Sequence, residues 1–154
     1  MSTAFDVCRN FSNINSKINK FFKTNKYDAL ILLGDRYESL AVAIAAYINR
    51  IPIVHIHGGE KTEDSLDDNY RHAISKFSNF HFVSHFTNKK RLIQLGEHPK
   101  SIKVIGGLGA NSISKIKLIN KKELEKLLNI KIKYKVIVIN FYPEVSNINK
   151  SINT

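Results

Sequence analysis

The residues best suited to chemistry lie between Ile51 and Lys76, where charged side chains follow an apolar segment. That segment stops at the pair Gly58-Gly59. A cluster of carboxylates comes next, namely Glu60, Glu63, Asp64, Asp67 and Asp68. Carboxylates can move protons, and ligands of open parallel sheets collect outside the carboxyl ends of the strands. The stretch is therefore a candidate ligand-facing corner, or else a polar connection to a helix that Asp67 caps, since Asp is a favoured N-cap.

A second candidate is Asp35, which follows the apolar run Ala29–Leu33 and precedes Arg36. A carboxylate placed directly after a buried strand can act as a base or hold a sugar hydroxyl. The alternative is a purely local role, because Asp35 and Glu38 have the spacing of a capping box with Asp in the place of Ser or Thr.

Two basic side chains follow the carboxylate cluster on a predicted helix. Arg71 is four residues after Asp67, so the two side chains are expected to meet on one helix face, close to Lys76. Such a pair can orient a diphosphate or a catalytic acid. As an ordinary surface ion pair it contributes only a few tenths of a kcal/mol, roughly.

Histidines form the third candidate group. His55 and His57 are two residues apart on a predicted strand, so they are expected to point to the same side. Together with Glu60, Asp67 or His72 they could ligate a metal. No stereotyped ligand spacing such as H-E-x-x-H is present, and we predict that no metal is bound.

Alternating helices and strands are expected to position these residues. Helices are predicted over residues 5–23, 37–50, 67–78, 87–95 and 111–128, and strands over 29–33, 51–56, 80–84, 102–105 and 136–140. This alternation predicts an α/β fold, a Rossmann-like parallel sheet of about five strands with helices on both faces. Residues 29–33 lack polar alternation and are expected to be fully buried. Thr87 is the predicted cap of its helix, and Gly96 the left-handed residue that ends it.

Composition limits the class of protein. The chain has 154 residues, 43% of them hydrophobic, which suits one globular domain. No segment approaches the roughly 20 apolar residues that span a bilayer, and the start of the chain lacks the pattern of a signal peptide. The single cysteine, Cys8, fits a reducing cytoplasm and excludes internal disulfides and thiolate metal sites.

The formal net charge of +11 suggests nucleic acid as a partner. The distribution of the charge argues against it, because lysines are scattered along the chain and residues 58–68 are acidic. We therefore expect no nucleic-acid partner and no membrane partner.

Three segments together carry a family resemblance: LGDRYESLAVAIAA, IPIVHIHGGEKTEDSLDDNYRHAISKFSNFHF and GEHPKSIKVIGGLGANSI. With the motifs G-D-R, H-x-H-G-G-E and D-D-x-x-R-H-A-I in order, the sequence resembles the UDP-N-acetylglucosamine 2-epimerase family. It is most similar to the hydrolysing branch, which supplies precursors of sialic and legionaminic acids.

The resemblance implies a two-domain, GT-B-like fold with two Rossmann-like halves and an active site in the cleft between them. The implied reaction removes the proton at C2 of a UDP-N-acetylhexosamine and eliminates UDP anti. Water then adds at C1 with inverted stereochemistry at C2, which releases a sugar of the N-acetylmannosamine type. This chemistry implies no cofactor, and carboxylates suit its proton transfers.

Transferred residue by residue, the resemblance makes Asp35 and Asp67 two of the family's three essential acids. The third acid falls on His57, and Glu60 lies three residues further on. Either His57 or Glu60 can take its task, and that choice stays open at this point.

The resemblance also implies a set of substrate-binding residues: Arg36, Gly58, Gly59, Arg71, His72 and Tyr142. One departure concerns the last of these. The family commonly has His-Pro where this chain has Tyr142-Pro143, which puts the completeness of the active site in doubt.

The family's opening strand and its uridine-binding half have no counterpart in this sequence. We expect residues 1–145 to form an incomplete N-terminal Rossmann-like domain, followed by a frayed tail over 146–154. The expected function is hydrolysing 2-epimerisation, with a UDP-sugar as substrate and a homo-oligomer or a complementing chain as possible partner. The alternatives are an inactive remnant or binding module, and a fragment of a non-hydrolysing epimerase.

Overall fold

A computed structural model of the chain describes residues 3–62, 65–113 and 115–140. The chain divides into two compact units, Met1–Ala110 and Asn111–Thr154. The predicted tail over 146–154 lies outside the described residues. None of the described helices is long and apolar enough to cross a membrane.

The first unit alternates helices and strands as the sequence predicts. Its elements are α1 (Ala4–Thr24), β1 (Leu30–Leu33), α2 (Tyr37–Ile48), β2 (Ile53–Ile56), α3 (Asp67–Phe77), β3 (Phe80–Val83), α4 (Phe86–Gln94), a 3-10 turn (Pro99–Ser101) and β4 (Ile102–Val104). A short helix, α5 (Leu108–Ile113), lies at the boundary between the units, and α6 (Lys121–Leu128) belongs to the second.

The four strands form one parallel sheet in the order β1-β2-β3-β4. Leu32, His55, His81 and Ile102 are partners across the sheet, so they share one face, and all four are buried. Helices α1, α2 and α3 pack over β1 and β2 in one hydrophobic cluster, and α4 packs over β3 and β4 in a second. The core of this unit therefore lies on a single face of the sheet.

The opposite face is open in the described structure. Ile31, Leu33 and Phe80 are 66%, 58% and 53% exposed. Parallel strands joined in sequence by right-handed crossovers place every connecting helix on the same side. The predicted α/β parallel sheet is confirmed, with two differences: the helices packed against it lie on one face, and β1 is buried on one face only.

The second unit departs further from the prediction. The helix expected over 111–128 is replaced by α5 and α6, because Asn120 starts α6 with a capping box that it forms with Glu123. Residues 136–140 were expected to form a fifth strand, but no described strand pairs with them, and Ile137 is 86% exposed. A strand needs a neighbour for its backbone groups, so an apolar run alone did not suffice to make one.

Helix ends agree in part with the prediction. Gly96 has φ +92°, the left-handed conformation expected after α4. The cap of α4 is His85 rather than Thr87, because the His85 side chain accepts a hydrogen bond from the Thr87 backbone N–H.

Candidate functional site

Polar side chains from the loops after β1, β2 and β3 and from α3 lie at the carboxyl edge of the sheet. Arg71, on α3, contacts several of these segments. Its side chain is 5% exposed and forms ion pairs with Asp35, after β1, and Asp68, on α3. Nη1 of Arg71 also donates to the backbone oxygen of Glu60, after β2, at 2.9 Å. A buried guanidinium requires such partners, and here they fix two strand ends against one helix.

Asp35 does not cap the helix that follows it. The N-cap of α2 is Arg36, which makes no side-chain cap hydrogen bond, so the predicted capping box is wrong. The Asp35 carboxylate turns to Arg71 instead. Arg36 is largely exposed and pairs with Glu38 at 3.1 Å, and this hydrogen bond is the main cause that raises the pKa of the guanidinium.

Asp67 is the first residue of α3, after an N-cap at Leu66, so the alternative that made it the cap is wrong. The predicted ion pair of Asp67 with Arg71 is also wrong, because the described partner on this helix is Asp68, three residues before Arg71. The charge of Asp67 acts on Arg36 and contributes to the raised pKa of that guanidinium. Asp67 thus lies near the loop after β1.

The side chains of His55 and His57 do not point to the same side of the sheet, contrary to the prediction. The strand ends at Ile56, and His57 has φ +67°, which breaks the alternation of the strand. His55 is fully buried, and its ring nitrogens contact Gly34 O at 2.9 Å and Ser75 Oγ at 3.0 Å. Burial lowers the pKa of His55 to about 4, with His81 and Arg71 adding to the effect and the hydrogen bond to Gly34 opposing it.

His57 instead contacts Glu60, with 2.7 Å between Nδ1 and Oε1. Oε1 of Glu60 also accepts a hydrogen bond from Ser84 Oγ at 2.7 Å. Burial by itself raises the pKa of Glu60, but the hydrogen bonds from His57 and Ser84, with the charge of Arg71, bring the pKa below its ordinary value. Glu60 is therefore an ionised carboxylate held from two sides.

The glycine pair allows this close packing. A Cβ on Gly58 would lie 2.9 Å from both His55 Nδ1 and Ser75 Oγ. Gly59 has φ +72°, and a Cβ there would lie 2.5 Å from the backbone oxygen of Asn88. Both positions therefore need glycine to bring β2 against α3 and α4, whether or not they also contact a substrate.

His72 lies beside the Arg71 cluster, and its buried Nδ1 has no hydrogen-bond partner among the described residues. Burial lowers the pKa of His72, and the positive charges of Arg71 and Arg91 lower it further. The negative charge of Asp68 has the opposite effect. Tyr142, the remaining predicted binding residue, lies outside the described residues.

Ser75, Ser84, Asn88 and Arg91 also contribute contacts here and are not among the predicted residues. Asn88 and Arg91 are three residues apart and share one side of α4, while Ser84 directly follows β3. That position at the same sheet edge was the available signal. Arg91 donates to the backbone oxygen of Gly59, which ties α4 to the glycine pair.

No three His, Cys, Asp or Glu side chains in the described part of the chain lie close enough to hold a metal ion. The arrangement offers carboxylates, an imidazole and an exposed guanidinium at one edge. Such a set can accept a proton from carbon, return one and hold a diphosphate.

Comparisons with known proteins agree on one family. The family model described as UDP-N-acetylglucosamine 2-epimerase matches residues 4–152. The chain is 42% identical over 151 residues to a GDP/UDP-N,N'-diacetylbacillosamine 2-epimerase (hydrolyzing) of Campylobacter jejuni, covering 96% of this chain and 39% of that protein. It is 49% identical over 124 residues to polysialic acid biosynthesis protein P7 of Escherichia coli, covering 80% of this chain and 32% of that protein.

Solved structures show the same fold. A UDP-GlcNAc 2-epimerase from Methanocaldococcus jannaschii aligns with a TM-score of 0.68 at 20% identity, covering 86% of this chain and 38% of that one. The enzyme from Neisseria meningitidis, bound to UDP-GlcNAc, aligns with a TM-score of 0.67 at 22% identity, covering 84% and 37%. This chain thus spans well under half the length of the proteins that it matches.

Proposed function

The chain belongs to the UDP-N-acetylglucosamine 2-epimerase family, and on that premise we propose that it carries the acid–base residues of a hydrolysing UDP-sugar 2-epimerase. The proposed reaction converts a UDP-N-acetylhexosamine into the free 2-epimer and UDP, for the synthesis of sialic acids and related sugars. The names of the C. jejuni and E. coli relatives support this branch. The observation that carries the proposal is that Arg71 pairs with Asp35, after β1, and donates to the Glu60 backbone, after β2, which brings two acid-bearing strand ends together at the sheet edge.

The chemistry needs two proton-handling sites. One group takes the C2 proton while the bond from C1 to the diphosphate breaks, and a C1–C2 double bond forms. Water then adds its oxygen to C1, and a proton returns to C2 on the opposite face. We assign these transfers to Asp35, Asp67 and the pair His57 and Glu60, because positioned acids and bases supply such steps.

Arg36 and Arg71 have different proposed roles, namely binding the diphosphate and positioning the acids. The Arg36 side chain is 68% exposed and paired only with neighbouring Glu38 among the described residues, so it is available for the diphosphate. Arg71 already holds Asp35 and Asp68, so its contribution is to place the acids. Gly58, Gly59, His72 and Tyr142 complete the proposed substrate-binding set.

The activity is proposed for this chain together with the remaining part of such an enzyme, since it spans 39% of the C. jejuni relative. A complementing chain is one proposed source of that part, and a homo-oligomer is the alternative proposed assembly. Binding energy from remote parts of a substrate supports chemistry at the reacting carbon, so the isolated chain is expected to release no UDP. A cytoplasmic location, supported by the single cysteine, completes the proposal.

A chimera tests this function. The segments that the chain lacks are supplied from the C. jejuni relative, and UDP release from UDP-N-acetylglucosamine and from its diacetylbacillosamine analogue is followed with identification of the sugar product. We expect UDP and a free 2-epimer, with turnover reduced roughly a hundredfold or more by Asp35→Asn. The unmodified chain and a chimera with Lys117→Gln, far along the sequence from the acids, serve as controls.

Other outcomes identify the alternatives. A product that still carries UDP would mean a non-hydrolysing epimerase. A folded chimera that binds the UDP-sugar without turning it over would mean a binding module, and UDP release by the isolated chain, abolished by Asp35→Asn, would show that the extra segments are not needed.

A further inference from the structure

We propose that His57 is the acid–base group after β2, and that Glu60, Ser84 and Asn88 are positioning residues that hold its ring with Nε2 free. This assignment rests on the proposed function for its chemical meaning, and it decides between His57 and Glu60 on geometry. It also gives a role to Ser84, in the β3–α4 connection, and to Asn88 on α4.

The backbone at His57 is held in an unusual conformation. Its φ of +67° is left-handed, which is uncommon for a residue with a side chain and is concentrated at functional sites. The His57 N–H donates to the backbone oxygen of Phe82 on β3 at 2.9 Å. The side chain is 25% exposed, so the turn presents the ring at the edge of the sheet instead of burying it as His55 is buried.

The hydrogen bond to Glu60 selects one tautomer of the ring. Glu60 Oε1 lies 2.7 Å from His57 Nδ1, and an ionised carboxylate only accepts hydrogen bonds. Nδ1 must therefore carry the proton, which leaves the lone pair on Nε2. Within the described residues Nε2 has no protein hydrogen-bond partner, so it is the nitrogen that can accept a proton from outside.

Glu60 has the opposite character. Its Oε1 accepts from both His57 and Ser84, and Arg71 donates to its backbone oxygen. A carboxylate with two donors on one oxygen and a cation nearby is stabilised as an anion. It is suited to orienting an imidazole and less suited to exchanging protons itself.

The orientation of Glu60 is fixed in turn by α4. Asn88 Nδ2 can only donate, and it lies 2.9 Å from Ser84 Oγ. The Ser84 hydroxyl proton is thereby directed to Glu60. Arg91 Nη1 approaches Asn88 Oδ1 at 3.5 Å. Because arginine only donates, this contact identifies Oδ1 as the acceptor end of the amide and Nδ2 as the donor end. Asn88 thus donates to Ser84, and Ser84 donates to Glu60. His57 donates to the same Glu60 oxygen.

Nuclear magnetic resonance on the 154-residue chain tests the assignment without substrate. Nitrogen-15 shifts of the His57 ring report which nitrogen carries the proton. We expect the Nδ1–H tautomer to dominate in the unmodified chain. Glu60→Gln replaces the anion with an amide that can donate as well as accept, so the tautomer preference should be lost.

Ser84→Ala is the decisive variant, because it leaves both His57 and Glu60 in place. We expect it to weaken the tautomer preference, while Ser84→Thr, which keeps the hydroxyl, restores it. Ser112→Ala, remote in sequence, is the matched control and should leave the preference unchanged.

Two results would overturn the assignment: a His57 ring protonated on Nε2 in the unmodified chain, or a Ser84→Ala variant with the same tautomer preference as the parent. The first result needs no variant to fold. Because neither depends on turnover, they are distinguishable from a failure of the proposed epimerase activity, which the chimera measures.

Discussion

A single guanidinium organises the polar side chains at the sheet edge. Arg71 is almost fully buried and pairs with Asp35 and Asp68, whereas the neighbouring acid Asp67 interacts with exposed Arg36 through its charge. Two adjacent aspartates thus have different tasks. Asp68 contributes to structure, and Asp67 is the one that we propose for chemistry.

Adjacent substitutions separate these tasks. Asp67→Asn should cost under about 1 kcal/mol of unfolding free energy, because Asn is tolerated near a helix start. In the chimera it should reduce turnover roughly a hundredfold. Asp68→Asn should cost more stability, about 1–3 kcal/mol, since it weakens a hydrogen bond to a buried cation. Urea unfolding and UDP release measured on both variants decide the matter, and normal turnover in Asp67→Asn would remove it from the proposed site.

His55 makes stability depend on pH. Its pKa is about 4 in the folded chain, against about 6.5 for an unperturbed histidine, so the folded state favours the neutral ring. Between these values the unfolded chain binds more protons, and stability falls as pH decreases from 6.5 to 4. The full loss is about 3 kcal/mol, of which about 2 is reached by pH 5.

The measurement is urea unfolding at pH 7.5 and pH 5, with His55→Gln as the control. Glutamine can still donate to Gly34 O but does not titrate, so the variant should lose a smaller part of its stability on acidification. Equal losses in parent and variant would mean that other groups cause the acid sensitivity; His72 and His81, whose pKa values burial also lowers, act in the same direction.

At this scale the sequence predicts which residue types reach the sheet edge, because strand ends of a parallel sheet share an edge. It does not predict their partners. Positions three and four residues before Arg71 are equally close on a helix, so Asp68 and Asp67 are indistinguishable by spacing. The left-handed φ of His57 could not be predicted, because the residues around it have the pattern of a strand.

Among the elements, the turn after β2 is the most constrained. Gly58 lies against the buried pair His55 and Ser75, and its φ is not positive, so close packing alone requires glycine there. The hydrogen bonds of His55 connect this turn to Gly34, directly before Asp35. A disturbance at Gly58 therefore reaches two strand ends.

Gly58→Ala tests this packing. The added Cβ meets two side-chain atoms at 2.9 Å, and overpacking of this kind costs about 1–3 kcal/mol. Gly109→Ala is the matched control, because a Cβ there meets nothing within 4 Å and Gly109 lies in α5. It should be neutral or slightly stabilising. Urea midpoints that do not differ between the two variants would contradict the packing argument.

Elements of the first unit follow from periodicity, since each predicted helix and strand appears within a few residues of its expected bounds. The second unit does not. Apolar residues at 111–128 fit a helix, but the Asn120 cap starts a new one, and no strand of the described sheet pairs with the run at 136–140. Local sequence specifies a strand only where tertiary pairing is available.

For the molecule as a whole, the open face of the sheet is the dominant physical feature. Parallel sheets are usually covered on both faces, yet Ile31, Leu33 and Phe80 are more than half exposed here. A net charge of +11 opposes self-association. Apolar attraction and charge repulsion are therefore expected to compete, and salt should shift the balance by screening the charge.

Substitution of apolar residues on the open face tests the balance between apolar attraction and charge repulsion. We expect the unmodified chain to bind the dye ANS and to associate more strongly as salt is raised. The double variant Ile31→Thr with Leu33→Thr should reduce both effects at little cost in stability, because threonine is β-branched and suits an exposed strand face. Leu32→Thr, one residue away on the buried face and 8% exposed, is the control. It should cost about 2 kcal/mol or more. Dye emission and sedimentation at low and high salt measure the outcome, and a double variant that binds as much dye as its parent would mean that the face is covered in solution.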